Sequence, residues 1–375
     1  MNFGFTEEQE LLRAEVRKFL DRSCPLDEVR KLMETPEGFS RELWKQLAEL
    51  GWLGLTVPEP HGGAGLGWVD LVVLLEETGR SLFPSPLLAT TLAAFAIRDA
   101  GSPEQQQRWL PVLADGSRIA TLALLEESDL CSPEGVQLRG VPDGADFRLS
   151  GEKLFVPDAG NADLFLVAFR SGPEREAVSL AVLEGDAAGV MAQHSPGMDL
   201  TRRFGSVRLD GAGVGRDALL GEPGTAWPTL ARVLDAGACA VTAEAVGAAE
   251  ALLQLTVGYA SEREQFGQPI GRFQGVKHPL ADMYVDVESF RSLVYFAAWA
   301  LDESPEQAPL AVSRAKAYAS EAFPRIGIDC VQLHGGIGYT WEYDAQLYLK
   351  RAKWMRPTYG DAEFHYERVA RLGGL

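Results

Sequence analysis

Cysteine and histidine are scarce in this chain of 375 residues, which has four cysteines and five histidines. None of the cysteines has the close C-x-x-C spacing that is typical of zinc sites and redox centres; they are Cys24, Cys131, Cys239 and Cys330. We therefore expect no bound metal. We also expect reduced cysteines with a structural role, as is usual in the cytoplasm.

Basic residues are outnumbered as well. The 35 lysines and arginines face 53 aspartates and glutamates, which gives a formal net charge of -18 at pH 7. A surface of that sign repels the phosphates of nucleic acids and of anionic membranes, so we expect neither as a partner. An anionic ligand must then be bound by a local cluster of basic groups.

The N-terminus lacks the pattern of a secretion signal. Residues 1–8 turn acidic at Glu7 and Glu8, where a signal peptide is first basic and then apolar. We also expect no apolar run that approaches the length of a membrane-spanning helix. The sequence therefore predicts a soluble, cytoplasmic protein.

Hydrophobic periodicity divides the chain into three regions. It is helical over residues 1–118, where Thr6 and Gln9 can form a capping box, and helical again over 223–375. Over 119–222 it changes to short apolar segments separated by turn residues. Because the chain exceeds the usual size of one core, we predict three domains in an α+β fold: an N-terminal helical domain, a middle antiparallel β-barrel domain and a C-terminal four-helix bundle.

The strands of the middle region are short. We place them at residues 121–125, 147–149, 164–169, 178–183 and 207–209. We place turns at Pro142-Asp143-Gly144, Ser171-Gly172-Pro173 and Gly185-Asp186.

One helix of the last region has a long apolar stripe with spacings of four and three. Its residues are Val276, Leu280, Met283, Val287, Phe290, Val294, Ala297 and Leu301. The stripe predicts a bundle helix that packs along its whole length in a core or an oligomer interface.

The segment from Arg263 to Gln274 joins the end of one helix to the start of the next. Its sequence is Arg-Glu-Gln-Phe-Gly-Gln-Pro-Ile-Gly-Arg-Phe-Gln, which predicts a turn that sets Arg263, Phe266 and Gln274 close together. A guanidinium can bind a pyrophosphate through two hydrogen bonds, and an exposed ring and amide can hold the edge of a heterocycle. The alternative is that Arg263 is a solvated charge at a helix end and that the rings only pack.

A second segment contains the paired glycines of Gln332-Leu-His-Gly335-Gly336. Without Cβ atoms, the backbone here can approach a phosphate or ribose oxygen closely. The alternative is an ordinary helix end followed by a turn.

These two segments, with Leu280-Ala-Asp-Met283 between them, resemble the acyl-CoA dehydrogenase family of flavoproteins. The helical, β, helical order is also that of the family, so the resemblance covers nearly the whole chain. It implies an oxidoreductase of lipid metabolism that binds FAD, and a tetramer in which this loop reaches a neighbouring subunit's FAD. The FAD contacts that it implies are Arg263, Gln274, Gln332, Gly335 and Gly336, with Phe266 in support.

The family's motifs for the flavin ring are poorly matched. Members usually have Thr-Glu-Pro-Gly-Ala-Gly-Ser-Asp where this chain has Leu124-Leu-Glu-Glu-Ser-Asp129. They have Trp-Ile-Thr-Asn where it has Phe155-Val-Pro-Asp158. Pro157 replaces a threonine whose hydroxyl could donate a hydrogen bond toward the flavin. We therefore expect a degraded flavin-ring pocket in this chain.

The catalytic base is missing where the family places it. In the family's reaction a carboxylate removes the α proton of the acyl thioester while hydride leaves the β carbon for the flavin. Tyr359 takes the usual position of this glutamate, and Gly237 takes the position used by a minority of members. The nearest carboxylates are Asp361, a weak candidate for the base, and Asp235, which matches an aspartate that contacts substrate in relatives.

Three interpretations remain open. We favour the non-catalytic subunit of a heteromeric acyl-CoA dehydrogenase, similar to two-subunit enzymes of actinobacterial steroid and bulky acyl-CoA breakdown. The alternatives are a self-sufficient homomeric dehydrogenase with a displaced base such as Asp361, and a cofactor-free scaffold with the same fold. For an active enzyme, the resemblance implies an acyl-CoA substrate and an electron-transfer flavoprotein as the acceptor.

Overall fold

The structure is a computed structural model that describes residues 5–375. Residues 1–4, part of the stretch compared with a secretion signal, lie outside the described residues. The helices are α1 Glu7–Ser23, α2 Leu26–Met33, α3 Arg41–Glu49, α4 Trp68–Arg80, α5 Leu87–Ala100, α6 Pro103–Ala114, α7 Trp227–Glu262, α8 Gln274–Glu303, α9 Ala308–His334, α10 Ala345–Met355 and α11 Ala362–Gly373. The strands are β1 Ala120–Ala123, β2 Gly140–Asp143, β3 Asp146–Pro157, β4 Leu164–Arg170, β5 Val178–Glu184, β6 Val190–His194, β7 Phe204–Val214, β8 Glu264–Gln265 and β9 Gln268–Pro269.

The chain forms two compact units. The helical unit contains the residues up to Lys31 together with Trp68–Phe83 and Asp235–Leu375. The mixed unit contains Leu32–Gly67 and Pro84–Leu234, and includes strands β1 to β7. The predicted fold class, with a β region between two helical regions along the chain, is confirmed.

The first helix begins as its sequence predicts. The Thr6 side chain accepts a hydrogen bond from the Gln9 backbone N–H, and the Gln9 side chain accepts one from the Thr6 backbone N–H. This reciprocal arrangement satisfies two backbone donors that the helix itself cannot satisfy.

The mixed unit contains two sheets, with strand orders β1-β4-β5 and β2-β3-β7-β6. The long strands β3 and β7 pair antiparallel from Phe147 opposite Val214 to Pro157 opposite Phe204. Residues from both sheets form one buried core, which includes Leu149, Phe165, Phe169, Val207 and Leu209. The pair β1–β4 is parallel, which alternating apolar residues could not predict.

Within the middle region two strands were missed in the sequence, and one turn was placed wrongly. β2 is exposed or half-exposed along its length, and β6 exposes Met191, Ala192 and Gln193, so neither has the pattern of a strand with one buried face. Pro142 and Asp143 lie in β2 and not in a turn, and the turn itself is formed by Gly144 and Ala145. Proline is tolerated there because β2 lies at the edge of its sheet.

Helix α7 is long and apolar enough to cross a membrane, judged by length and composition alone. The expectation that no apolar run reaches that length is therefore wrong for this helix. However, 89% of the most apolar window of α7 is buried inside the protein. A Cβ at Gly247 would lie 1.8 Å from the Glu76 carbonyl oxygen of α4, so this helix is packed closely against its neighbour.

The predicted stripe on α8 is buried from Met283 to Ala297. Val276 and Leu280, in the first turns, are only half-buried, while Val285 on another side of the helix is exposed. The stripe therefore packs in the core of the helical unit over most of its length.

Candidate functional site

The segment after α7 is a tight hairpin. Strands β8 and β9 pair antiparallel, and Phe266 and Gly267 form the two-residue turn between them. Their φ angles are +54° and +78°, as a type I′ hairpin turn requires. The left-handed conformation suits Gly267 and costs Phe266 about 1–3 kcal/mol, a kind of strain that is concentrated at binding sites.

The side chains of this hairpin point away from the core. Phe266 is 93% exposed, and its ring meets that of Phe273 edge to face with the centroids 6.0 Å apart. Arg263 and Gln274 are also exposed. Within residues 5–375, the Arg263 guanidinium makes no hydrogen bond or ion pair, so its charge is open to an anion from outside this chain.

The paired glycines follow α9 directly. Gly335 ends the helix at φ +65° and ψ −142°, and its N–H donates to the Gln332 carbonyl. A Cβ built at Gly335 or at Gly336 would meet nothing within 4 Å. The segment is thus a helix end followed by a turn, as the alternative interpretation expects. It also leaves open space next to the glycine backbone.

One tyrosine connects the two segments. The Tyr259 hydroxyl donates to the His334 carbonyl at 3.4 Å, and the two rings lie 4.6 Å apart. The Tyr259 carbonyl accepts the Arg263 N–H at 2.8 Å. The sequence did not single out Tyr259 or His334; the only available signal was their position, one turn before Arg263 and directly before Gly335.

The two positions where the family places its catalytic base, Gly237 and Tyr359, lie against each other. A Cβ at Gly237 would be 2.8 Å from Cδ1 and Cε1 of Tyr359, so the tyrosine ring covers the α7 position that a minority of members use. Tyr359 itself has φ +59°. Neither position carries a carboxylate, and the ring fills the space next to Gly237.

The two nearby carboxylates have structural partners. Asp361 caps the start of α11, where Oδ1 accepts the Phe364 N–H at 2.9 Å. Asp235 is buried, and its Oδ1 accepts a hydrogen bond from Arg368 Nη1 at 2.6 Å. Each carboxylate is therefore already engaged, one with an arginine and the other with a helix N-terminus.

Two buried groups hold the loop that carries Tyr359. The Lys316 ammonium donates to the carbonyls of Met355, Arg356 and Gly360 at 3.2, 2.9 and 2.8 Å. His365 Nε2 lies 3.0 Å from the Tyr359 carbonyl. Burial and the Lys316 charge lower the pKa of His365 to about 3, so the ring is neutral and donates its Nε2 proton to that carbonyl.

The segments that replace the flavin-ring motifs are tied to the mixed unit. Glu126 pairs with the buried Lys153 at 2.6 Å and accepts the Leu138 N–H at 3.0 Å. Phe155 stands half-exposed at φ +52°. Burial raises the pKa of Asp158 to about 6. The Asp158 N–H donates to the Arg203 carbonyl at 3.0 Å. Both segments therefore make structural contacts within the mixed unit.

The open features of the helical unit suit one half of FAD. An unpaired guanidinium fits the pyrophosphate, and an uncovered glycine backbone fits the close approach of phosphate or ribose oxygens. Over the described part of the chain, no three His, Cys, Asp or Glu side chains are grouped so that they could hold a metal ion.

Comparison with known proteins identifies relatives over the whole chain. Acyl-CoA dehydrogenase IpdE2 of Mycolicibacterium smegmatis is 36% identical over 92% of this chain and 93% of its own length. The solved ChsE4-ChsE5 complex from Mycobacterium tuberculosis is 31% identical, with a TM-score of 0.90 over 100% of this chain and 99% of that one. A solved variant of the Tcur3481-Tcur3483 steroid ACAD is 33% identical, with a TM-score of 0.88 over 98% of each chain.

The family models agree. Residues 6–117 match the N-terminal domain of acyl-CoA dehydrogenase, and residues 225–373 match its C-terminal domain. Homologues in this family bind FAD, and one solved relative is in complex with FADH2. This chain belongs to the acyl-CoA dehydrogenase family of FAD-dependent oxidoreductases.

Proposed function

We propose that this chain is the non-catalytic subunit of a heteromeric acyl-CoA dehydrogenase. Its part is to contact the adenosine and pyrophosphate half of FAD, while a partner chain of the same fold supplies the catalytic glutamate. The proposal rests on the two positions where the family places its base. They hold Tyr359 and Gly237, so neither has a carboxylate, and the Tyr359 ring packs against Gly237. The solved ChsE4-ChsE5 relative, described as a complex of two chains, supports an assembly of this kind.

The chemistry of the family explains why the base matters. Bound FAD accepts hydride from the β carbon of the acyl group, and a carboxylate must take the α proton. A tyrosine phenol has an ordinary pKa of about 10, so at neutral pH it is protonated and cannot accept that proton. Asp361 and Asp235 already serve as a helix cap and an ion-pair partner.

The contribution of this chain is to bind and orient the cofactor. Arg263 would neutralise the pyrophosphate, and the amides of Gln274 and Gln332 would hold polar edges of the adenosine half. The backbone at Gly335 and Gly336 would approach it closely, with the ring of Phe266 alongside. The acyl-CoA substrate, the tetrameric assembly, the electron-transfer flavoprotein acceptor and a cytoplasmic location are further parts of this proposal. So are domain boundaries at residues 1–118, 119–222 and 223–375.

A self-sufficient homomer would need another proton acceptor. The displaced base suggested for it, Asp361, is oriented by its bond to the Phe364 N–H. A cofactor-free scaffold would need neither an unpaired Arg263 nor an uncovered glycine backbone, so the heteromeric subunit accounts for more of the site.

Visible absorbance tests the proposal. The chain is purified alone and together with a second acyl-CoA dehydrogenase subunit that carries the glutamate. We expect flavin absorbance that bleaches with an acyl-CoA only in the two-chain complex. If the chain purified alone is yellow and an acyl-CoA bleaches it, the homomer is established. A complex that stays colourless when FAD is added would establish the scaffold.

A point variant tests the base separately. Tyr359→Phe removes the phenol and keeps the ring against Gly237, so turnover of the complex should be unchanged. A collapse in turnover with full flavin content would show that Tyr359 takes part in proton transfer.

A further inference from the structure

An aromatic cluster formed by the buried His334 and the half-buried Tyr259 and Tyr343 adjoins both segments assigned to FAD. The His334 ring lies 4.6 Å from that of Tyr259 and 4.8 Å from that of Tyr343, measured between centroids. His334 is only 3% exposed, although Gly335 and Gly336 directly after it are exposed. His334 is therefore a buried support beneath an exposed segment.

The protonation of His334 follows from its contacts. Nδ1 lies 2.7 Å from the Cys330 carbonyl, which can only accept, so Nδ1 carries the proton. Nε2 is buried and has no hydrogen-bond partner among residues 5–375. Burial lowers the pKa of His334, so the ring remains neutral near pH 7. A buried Nε2 cannot reach a ligand, and the side chain must act through what it packs against.

Tyr259 contacts both segments at once. Its carbonyl accepts the Arg263 N–H at 2.8 Å, and its hydroxyl donates to the carbonyl of His334, which immediately precedes Gly335. The hydroxyl contact is long at 3.4 Å, so the ring contact with His334 provides most of the connection. The Arg263 bond is the last backbone bond of α7, so the Tyr259 side chain is what joins this helix end, where the Arg263 hairpin begins, to the end of α9, where the paired glycines begin.

We propose that Tyr259 and His334 are positioning residues that fix the Arg263 hairpin and the Gly335–Gly336 backbone in one geometry for the adenosine and pyrophosphate half of FAD. This inference rests on the proposed function. Neither side chain touches the cofactor. Their role is to keep two separate segments at the spacing that one dinucleotide requires, since misplaced contacts lose much of their affinity.

The test compares variants in the assembled complex by titration with FAD. Tyr259→Ala removes the ring and the connection, and should raise the dissociation constant for FAD about tenfold. Tyr259→Phe keeps the ring and should restore affinity to within about threefold of the native protein, since it loses only one long hydrogen bond. In the absence of FAD, Tyr259→Ala should also speed amide hydrogen exchange in residues 263–273 and in residues 335–339 together.

Tyr318→Ala is the matched control. Tyr318 lies on α9, and its hydroxyl donates to Asp286 at 2.9 Å, away from both segments. It should change neither FAD affinity nor exchange in the two segments. If Tyr259→Ala does not fold, His334→Phe is used in its place. It keeps an aromatic ring, loses the Nδ1 donor and should raise the constant about threefold.

Arg263→Ala distinguishes a failure of the positioning role from a failure of the proposed function. If it weakens FAD binding while Tyr259→Ala leaves both affinity and exchange unchanged, the positioning role is wrong and the proposed function stands. If Arg263→Ala leaves FAD binding unchanged, the proposed cofactor contact is wrong, and the inference falls with it. Equal loss of affinity in Tyr318→Ala and Tyr259→Ala would also overturn the inference.

Discussion

At the scale of single residues, the contact between Gly237 and Tyr359 is the main support for the proposed function. The sequence located both as positions without a carboxylate, but they are far apart along the chain. Only the fold shows that the ring of one covers the backbone of the other. A contact between α7 and the loop before α11 is a tertiary feature that no local pattern encodes.

This contact predicts that Gly237→Ala changes the free energy of unfolding in opposite directions with and without the Tyr359 ring. Glycine inside a helix is less stable than alanine by about 0.5–1 kcal/mol, so Gly237→Ala would ordinarily stabilise the protein. Here the new Cβ would lie 2.8 Å from the Tyr359 ring, and such overpacking costs about 1–3 kcal/mol. We expect Gly237→Ala to lower the free energy of unfolding, measured by denaturant titration.

The double variant provides the control. Tyr359→Ala removes the ring and leaves its Cβ, so Gly237→Ala should stabilise the protein in that background. A destabilisation of equal size in both backgrounds would mean that another neighbour resists the added methyl group.

Another prediction at this scale concerns the segment from Arg263 to Gln274, which we call the cofactor arm because the proposed function places it against FAD. Arg263→Ala removes an exposed charge with no partner of its own among the described residues, so folding stability should change by less than about 0.5 kcal/mol. Loss of a charge-assisted bond to a pyrophosphate costs about 1.5–3 kcal/mol, which is a rise of roughly tenfold or more in the dissociation constant for FAD. Titration of the complex with FAD measures it.

Arg371→Ala makes the same change of charge on α11, where Arg371 is also exposed. It should leave the affinity for FAD unchanged. Similar weakening by both variants would point to the overall charge of the protein and not to a contact at Arg263.

At the scale of elements, periodicity predicted the helices and most strands because burial on one side leaves a repeating pattern. It located β4 and β5, whose residues are nearly all buried, and the stripe on α8. It missed β2 and β6, because edge strands with exposed side chains carry no such pattern. The parallel pairing of β1 with β4 is likewise set by the fold and not by either strand alone.

Strand β3 also buries a charge that the pattern did not indicate. The Lys153 ammonium is fully buried and donates to the Leu124 carbonyl at 3.0 Å and to Glu126 at 2.6 Å. It therefore attaches the segment that replaces the family's first flavin motif to the four-stranded sheet. Burial lowers the pKa of Lys153 from 10.5 to about 8, although Glu126 partly opposes the shift.

This shift predicts how stability depends on pH. Between pH 8 and 10.5 the folded state releases the Lys153 proton while the unfolded state still holds it, so the free energy of unfolding rises with pH. The gain is about 3 kcal/mol at most, from roughly 1.4 kcal/mol per unit of pKa. Denaturant titrations of the native protein and of Lys153→Met across this range should show the rise only in the native protein.

The native protein must be compared with Lys153→Met because other groups also affect stability at alkaline pH. Burial raises the pKa of the Cys24 thiol to about 12, which lowers stability at high pH in both proteins equally. Parallel curves for the native protein and Lys153→Met would show that Lys153 titrates as it does in water.

At the scale of the whole molecule, the question is what covers the exposed aromatic side chains of the cofactor arm and of the segment after the paired glycines. A chain with a net charge of -18 is kept apart from copies of itself by long-range repulsion, so a stable assembly needs local apolar contacts. Phe266 is 93% exposed and Tyr339, just after the paired glycines, is 73% exposed. Under the proposed function both lie where a partner subunit would meet this chain, so we infer that the cofactor arm also contributes to assembly.

The last prediction therefore concerns Phe266 and the stability of the complex. Phe266→Asp should not weaken folding, since the ring is exposed and aspartate tolerates the left-handed turn better than phenylalanine. Burying a phenylalanine side chain at an interface is worth about 1.5–3 kcal/mol, so the dissociation constant of the two-chain complex should rise about tenfold to a hundredfold. Sedimentation velocity over a dilution series measures this constant. Leu11→Asp, a matched change at a 63%-exposed position of α1, should leave it unaltered. Equal weakening by both variants would show that added negative charge alone drives the subunits apart. An unchanged constant for Phe266→Asp would place the interface away from the hairpin.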